Sequence, residues 1–306
     1  MPEPQSYDYT RYLTAKRTID ARSINQRVWS RFVEAMNGVS TELRVLEVGG
    51  GVGATAERIL DAATAPEVAY TLVDLSDANV ARARDNLRRW ARDAGFASEV
   101  QGEALRLRRD DRRCTVRVVA DDVFGFLDDT DGTWDVLVAQ AFWDLVNLEE
   151  AFARLRPVLA PGAVLYFPLH FDGLTAFEPV VDPALDMQIL RIYHRTMDER
   201  ITEYGSSGGS RTGRRLIFSL RDLGASLLAA GSSDWVVAAK SEGFTDDEKY
   251  FLHHMLHFVE TSVATQGSIA SDDLARWIRK RRLQIEDGTL VFIAHQLDVL
   301  GHLGEG

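Results

Sequence analysis

Cysteine is almost missing from this 306-residue chain. Cys114 stands alone, which excludes an intrachain disulfide and any metal site built from clustered thiolates. A reducing, cytoplasmic setting is the expectation. Positive charge is also short: 35 lysines and arginines face 46 aspartates and glutamates, for a formal net charge of −11. Such a surface repels phosphate backbones and anionic lipid, so no nucleic-acid or membrane partner is expected. No run approaches the ~20 consecutive apolar residues that a bilayer requires. The N-terminal stretch MPEPQSYDYTRYLTAKRTID lacks the apolar core of a secretory leader. Internal repeats are missing too, and the one glycine- and serine-rich loop, at residues 204–213, is short. The 45% hydrophobic content, by contrast, is ordinary and suffices for a sizeable core.

The chain is organised around LRVLEVGGGVGATA at residues 43–56. Residues 44–48 read as a short buried strand, and Gly49, Gly50, Gly51 and Gly53 carry the chain into a helix beginning near Val52. A sharp strand-to-helix turn pressed against a ligand has no room for Cβ. The helix start offers unpaired N–H groups and a positive dipole end, so the loop is expected to hold a nucleotide-like ligand. Gly49, Gly51 and Ala54 alone fit the permissive GxGxxG/A spacing, which leaves a nicotinamide enzyme open.

From this loop a βα alternation predicts a parallel sheet wrapped by helices. Strands are expected at residues 69–75, 115–119, 134–139, 163–171, 234–239 and 289–295. Asp74 ends the second strand about 25 residues after the loop begins, where a ribose wants an acceptor. Asp121, Asp122 and Val123 follow the third strand, and Gln140, Ala141, Phe142, Trp143 and Asp144 the fourth. Helices are expected at 7–20, from Ser23 with a capping box to Gln26, at 52–62, 76–94, 148–159, 183–202 and 214–230. The charge-dense segment 98–113 reads as a solvated hairpin or insertion.

With Glu47 two residues before the first glycine, the ordered set resembles the class I S-adenosylmethionine-dependent methyltransferases over residues 43–171. The resemblance implies an α/β, three-layer Rossmann-like fold with a mostly parallel sheet and helices on both faces. It implies S-adenosylmethionine as cofactor, leaving S-adenosylhomocysteine. Glu47, Gly49, Gly50, Gly51 and Gly53 would carry its methionine part. Asp74 would hold the ribose, with Leu75 beside the adenine. Asp122, in competition with Asp121 and followed by Val123, would meet the adenine amine. Gln140, Ala141 and Phe142 would line the methyl-donor side.

One domain over residues 1–306 is expected, with a helical cap at 1–40, a cofactor-binding core at 41–172, and helical insertions at 173–213 and 241–287. Each insertion is too short for a core of its own, so both are read as a lid. The expected activity is methyl transfer by direct displacement to a small-molecule acceptor, oxygen or nitrogen favoured. Protein or RNA methylation, or a non-catalytic S-adenosylmethionine-binding partner subunit, are the alternatives.

His170, ending the fifth strand, is the first candidate for a general base, and His295 the second. Tyr12, with Lys16, Arg17 and Arg22, lies on the cap; Trp143 and Arg211 lie on loops near the reactive edge. Tyr250, His253, His254 and His257 share the helix of residues 246–261 and are substrate-facing candidates. His253 and His257 have the four-residue spacing of a zinc pair, yet no third ligand is evident, and no metal is expected. Phe251, Leu252, Met255, Leu256 and Phe258 suit the core or the interface of a homo-oligomer equally.

Overall fold

Residues 42–48 explain the centre of the molecule. This first strand, β1 (Glu42–Val48), turns Leu43 and Val45 to one face and Leu46 and Val48 to the other, and all four are buried. A strand covered on both faces needs such a continuous apolar run rather than strict alternation. The structure, a computed structural model, describes residues 4–38 and 42–304. The expected boundary between cap and core, at residues 40 and 41, therefore lies outside the described residues.

Before β1 come α1 (Tyr9–Ala15), α2 (Arg17–Ser23) and α3 (Gln26–Asn37). Then follow α4 (Ala54–Ala62), β2 (Glu67–Asp74), α5 (Asp77–Asp93), β3 (Ala97–Gln101), β4 (Ala104–Arg109), β5 (Arg112–Ala120), α6 (Val123–Asp129) and β6 (Trp134–Val138). Next are α7 (Leu148–Leu155), the long β7 (Leu159–Glu178), α8 (Pro183–Asp198), and the small hairpin of β8 (Ile201–Thr202) and β9 (Gly205–Ser206). The chain closes with α9 (Thr212–Asp222), β10 (Ala225–Ser232), β11 (Trp235–Ala238), α10 (Asp246–Ala264), α11 (Ser271–Glu286) and β12 (Val291–Leu303).

The main sheet runs β10-β12-β7-β6-β1-β2-β5-β4-β3, with β11 beside β12. Its centre, β7-β6-β1-β2-β5, is parallel, and antiparallel strands flank it on both sides. Apolar residues of α3, α4 and α5 pack on one face, and those of α6, α7 and α9 on the other, giving the expected three layers. A third core joins the N-terminal helices to the insertions. Tyr12 and Ile19 from the cap, Ile189 from α8, Phe251 and Leu256 from α10, and Trp277 from α11 meet Phe177 and Phe292 there. Each insertion alone is too short to form a core, but cap and insertions share one, built on the ends of β7 and β12 that extend past the parallel sheet.

Several local expectations are corrected. The helix expected at 7–20 is two, joined at Lys16. Asn25, not Ser23, caps α3: its side chain accepts from the Val28 N–H. Ile24, Val28, Phe32 and Met36 nevertheless pack inward. The glycine loop hands over to α4 at Ala54 rather than Val52, with Gly53 as cap. Residues 225–230, expected to continue a helix, form the edge strand β10. Gly224, at φ +79°, stops α9, and β12 offers a complete ladder to the segment that follows. The charge-dense segment forms the antiparallel β3–β4 hairpin with an exposed β3. Among the described residues no helix is long and apolar enough to cross a membrane.

A buried ion pair joins α8 to α11 within this third core. Arg281 is fully buried and bonds Asp186 at 2.9 Å, while Trp277 Nε1 donates to the same carboxylate. Removing one partner of a buried pair leaves the other charge uncompensated. Asp186→Ala is therefore expected to lower the unfolding free energy by about 3–5 kcal/mol, measured by denaturant titration of the full chain.

Candidate functional site

The glycine loop is closed by its neighbours. Gly49 has φ +64°, and a Cβ there would stand 2.2 Å from the Phe142 ring; at Gly50 it would stand 2.3 Å from Leu72. The backbone thus comes close to β2 and to the loop after β6, as a ligand cradle requires. The Gly51 N–H donates to Asp74 Oδ2 at 2.8 Å, while Oδ1 accepts from the Ser76 N–H and from Asn79 Nδ2, each at 3.0 Å. A carboxylate has about four acceptor positions, so Asp74 keeps capacity for a hydroxyl. Asp122 caps α6, its Oδ2 accepting from the Phe124 and Gly125 N–H groups.

Glu47 lies under the loop, 1% exposed, and accepts from the Tyr70 hydroxyl at 2.8 Å. Burial pushes its carboxyl up to about 8, opposed first by the hydrogen bond from Tyr70. Thr55 donates to Gln140 Oε1 at 3.0 Å, and Gln140 Nε2 donates to Asp20 Oδ2 at 3.0 Å, linking α4, the loop after β6 and the cap.

A cavity of about 730 Å³ opens on this edge. Its floor includes Glu47, Gly49, Gly50, Gly51, Asp74, Leu75, Asp122, Val123, Gln140, Ala141 and Phe142. Its roof comes from the third core: Tyr9, Tyr12 and Lys16 from the cap, Tyr193 and Met197 from α8, and Met255 and Phe258 from α10. Gln296, Ala294 and Trp235 complete the far wall. The volume is within the ~300–1,000 Å³ range of small-molecule sites.

Of the sequence-predicted residues, eleven of the glycine-loop and strand-end set thus share one cavity with Tyr12. Gly53 is not in its wall but caps α4, where a Cβ would press on Ala83, and Asp121 is exposed and lies outside the wall.

The acceptor-side candidates fare differently. His170 is fully buried and absent from the cavity wall. Its Nε2 accepts from the Phe142 and Trp143 N–H groups at 3.4 and 3.3 Å, and burial lowers its pKa to about 3. It holds the 141–143 turn and is not placed to take a proton from a ligand. Trp143 is likewise fully buried, packed on Phe152 and Phe167. His295 bonds Asp234 at 2.7 Å away from the cavity.

On α10 the face toward the cavity carries Met255, Phe258 and Ser262, so the histidines point elsewhere. His253 meets Glu286 at 3.1 Å, His254 stacks on Tyr12, and His257 stacks on Tyr7. Burial, followed by the charge of His257, lowers His254 to about 4. Tyr250 bonds the backbone of Asp8. Among the described residues no cluster suits a metal ion. Phe251, Leu252 and Leu256 are fully buried in the lid core, so this face is intramolecular.

Arg17 pairs with Glu57 and Arg22 with Glu248. Arg211 lines a separate open cleft beside Arg191 and His194, and Arg214 is clamped by Asp172.

Among the wall residues not singled out from the sequence are Tyr9, Asp20, Tyr193, Arg200 and Gln296. Asp20 is 2% exposed and accepts from Lys16 Nζ at 2.9 Å, Gln140 at 3.0 Å and Trp235 Nε1 at 2.9 Å. Its signal in the sequence was a Lys–Asp pair at i,i+4 flanked by Ala15 and Ile19, a charged pair on an otherwise apolar stripe. For Tyr193, Arg200 and Gln296 no local pattern existed; only the packing of distant elements brings them together.

Residues 46–165 match a family model described as a methyltransferase domain. A malonyl-[acyl-carrier protein] O-methyltransferase of Geobacter sulfurreducens is 31% identical over 153 residues, covering 49% of this chain and 48% of that one. The match therefore spans about half the length of the curated relative. Among solved structures, the chain is similar to a SAM-dependent methyltransferase from Thiobacillus denitrificans in complex with S-adenosyl-L-homocysteine. Identity is 12%, coverage 98% of this chain and 99% of that one, and the TM-score 0.48. A SAM-dependent methyltransferase from Geobacter sulfurreducens, with the same bound molecule, gives 14%, 97%, 99% and 0.47.

Glu47 yields a prediction for the ligand-free protein. Its folded pKa of about 8 exceeds its ordinary value of 4.5, so between these values the folded state holds a proton that the unfolded state has lost. Stability must then fall as pH rises across that window. Glu47→Gln is expected to flatten this fall, seen as a smaller drop in Tm between about pH 5 and pH 8.

Proposed function

We propose that the chain is a class I S-adenosylmethionine-dependent methyltransferase that transfers a methyl group from S-adenosylmethionine to a small-molecule acceptor through oxygen or nitrogen. The observation that carries this reading is the continuity of one cavity from the glycine loop to the aromatic lid. The loop fits the donor: Gly49 and Gly50 let its backbone lie against Phe142 and Leu72, and the carboxylates of Asp74 and Asp122 stand at successive strand ends. In this reading Glu47 and the loop hold the methionine part, Asp74 the ribose, and Asp122, Val123 and Leu75 the adenine. Gln140, Ala141 and Phe142 border the methyl. Residues 1–40 act as cap, 41–172 as donor-binding core, and the two helical insertions as acceptor lid.

Bound S-adenosylmethionine supplies a methyl group activated on a sulfonium. The protein's part is positioning and exclusion of water, which direct displacement rewards because the acceptor must sit in line with the reacting carbon. Tyr12, Phe142 and Phe258 provide the apolar wall for that exclusion. The O-methylation named for the curated relative keeps oxygen among the acceptor atoms, and the net negative charge disfavours RNA.

Calorimetry with S-adenosylmethionine and with NADH, followed by detection of S-adenosylhomocysteine over a pool of small acceptors, tests the proposal. Binding of the first ligand and turnover are expected; binding of NADH alone would overturn it, and binding without turnover would favour the partner-subunit alternative. Asp74→Ala removes an acceptor for both the ribose and the Gly51 N–H. It is expected to weaken donor affinity by roughly 10- to 100-fold, the equivalent of one charged hydrogen bond.

A further inference from the structure

The cavity roof holds two carboxylates in unlike circumstances. Asp20 has three side-chain donors within 3.0 Å. Asp144 has none: among the described residues its nearest cation is Arg200 Nη1 at 3.9 Å, and that guanidinium gives its 3.2 Å hydrogen bond to the Asp144 backbone carbonyl instead. About a quarter of the Asp144 side chain is exposed, and it faces the cavity that it lines. A carboxylate set among low-dielectric walls with so little compensation calls for a cationic or proton-donating partner.

The walls around it define what that partner looks like. Tyr9, Tyr12, Phe171, Tyr193 and Phe258 bring aromatic rings to the same chamber, with Met197 and Met255 as the deformable filling. Aromatic faces together with one under-compensated carboxylate form the arrangement that holds an ammonium group. The second observation is Gln296, 2% exposed and in the cavity wall, whose side-chain oxygen has no hydrogen-bond partner among the described residues. It offers an acceptor to a second N–H.

We propose that Asp144 is the specificity-determining residue of the acceptor chamber, and that the acceptor is a small amine with an apolar or aromatic body, its ammonium group held by Asp144 and the surrounding rings. This rests on the methyltransferase reading and narrows it from oxygen or nitrogen to nitrogen: the bound ammonium gives one proton to the Asp144 carboxylate, and the freed lone pair forms the N–C bond as the methyl's bond to sulfur breaks, its electron pair staying on sulfur. Burial raises the Asp144 carboxyl to about 6, opposed first by Arg200, then by its own backbone N–H and by Lys16. Burial first, and the charge of Asp144 among others, raises the phenols of Tyr9, Tyr12 and Tyr193, which stay neutral where Asp144 titrates.

Three probes of one shape test the inference: 2-phenylethylamine, 2-phenylethanol and phenylacetate, titrated calorimetrically into the full chain loaded with S-adenosylhomocysteine. Loading is measured first in the same cell, and its failure would refute the methyltransferase reading and not this one. With loading achieved, the amine is expected to bind about tenfold or more tighter than the alcohol, and the alcohol tighter than phenylacetate. Asp144→Asn should reduce the amine to the alcohol's affinity while leaving S-adenosylhomocysteine affinity and Tm unchanged. In the unmodified protein the amine's advantage should shrink as pH falls through about 6, a readout that requires no variant. Tightest binding by phenylacetate, an amine advantage that survives Asp144→Asn, or no binding of any of the three to the loaded protein would each overturn the proposal.

Discussion

The buried carboxylate of Asp20 holds the two halves of this molecule together. It comes from the cap helix α2, yet its donors are Lys16 at the helix junction, Gln140 after β6, and Trp235 on β11. Isolated, a carboxylate this deeply buried would cost several kcal/mol; with three donors it becomes a specific joint. Cap, sheet edge and lid thereby acquire one relative position, and the cavity between them acquires its shape. Gln140 passes the constraint on to Thr55, and so to the helix that follows the glycine loop.

A division of labour follows from this joint. Backbone groups and strand-end carboxylates make up the floor, and their spacing is dictated by the parallel sheet. Aromatic rings and a few charged groups make up the roof, and they hang from β7 and β12, which run on beyond the sheet. The floor is rigid and generic, suited to a donor common to many reactions. Beyond the carboxylates of the floor, the described residues put Asp20 and Asp144 in the cavity wall, the first with three side-chain donors and the second with none, and the proposed choice of an amine rests on that difference.

The floor was legible in the amino-acid sequence because its chemistry is local. A glycine loop after an apolar run and acidic residues closing successive strands are short-range patterns, and Asp74 and Asp122 appear where those patterns put them. The parallel alternation was legible for the same reason. Residues 225–230 were misread because their small side chains suit a helix as well as an edge strand, and only pairing with β12 decides. The histidines misled for a physical reason too. His170 ends a strand at the reactive edge, but β7 continues past it, and the imidazole turns inward to hold the Phe142 and Trp143 amides. His253, His254 and His257 share a helix whose cavity face is occupied by Met255 and Phe258. Tyr193 and Arg200 meet Asp144 across more than forty residues of chain, a proximity that no sequence spacing encodes.

The central claim is that donor floor and acceptor roof are one site coupled through the Asp20 joint. Hydrogen exchange of the full chain with and without S-adenosylhomocysteine tests it most directly. The account predicts added protection in the glycine loop at residues 49–53, at 74–76 and 122–125, and also in the cap at 12–20 and in the loop at 140–144, where the joint transmits the constraint. Protection confined to the floor, with the cap exchanging as before, would contradict it.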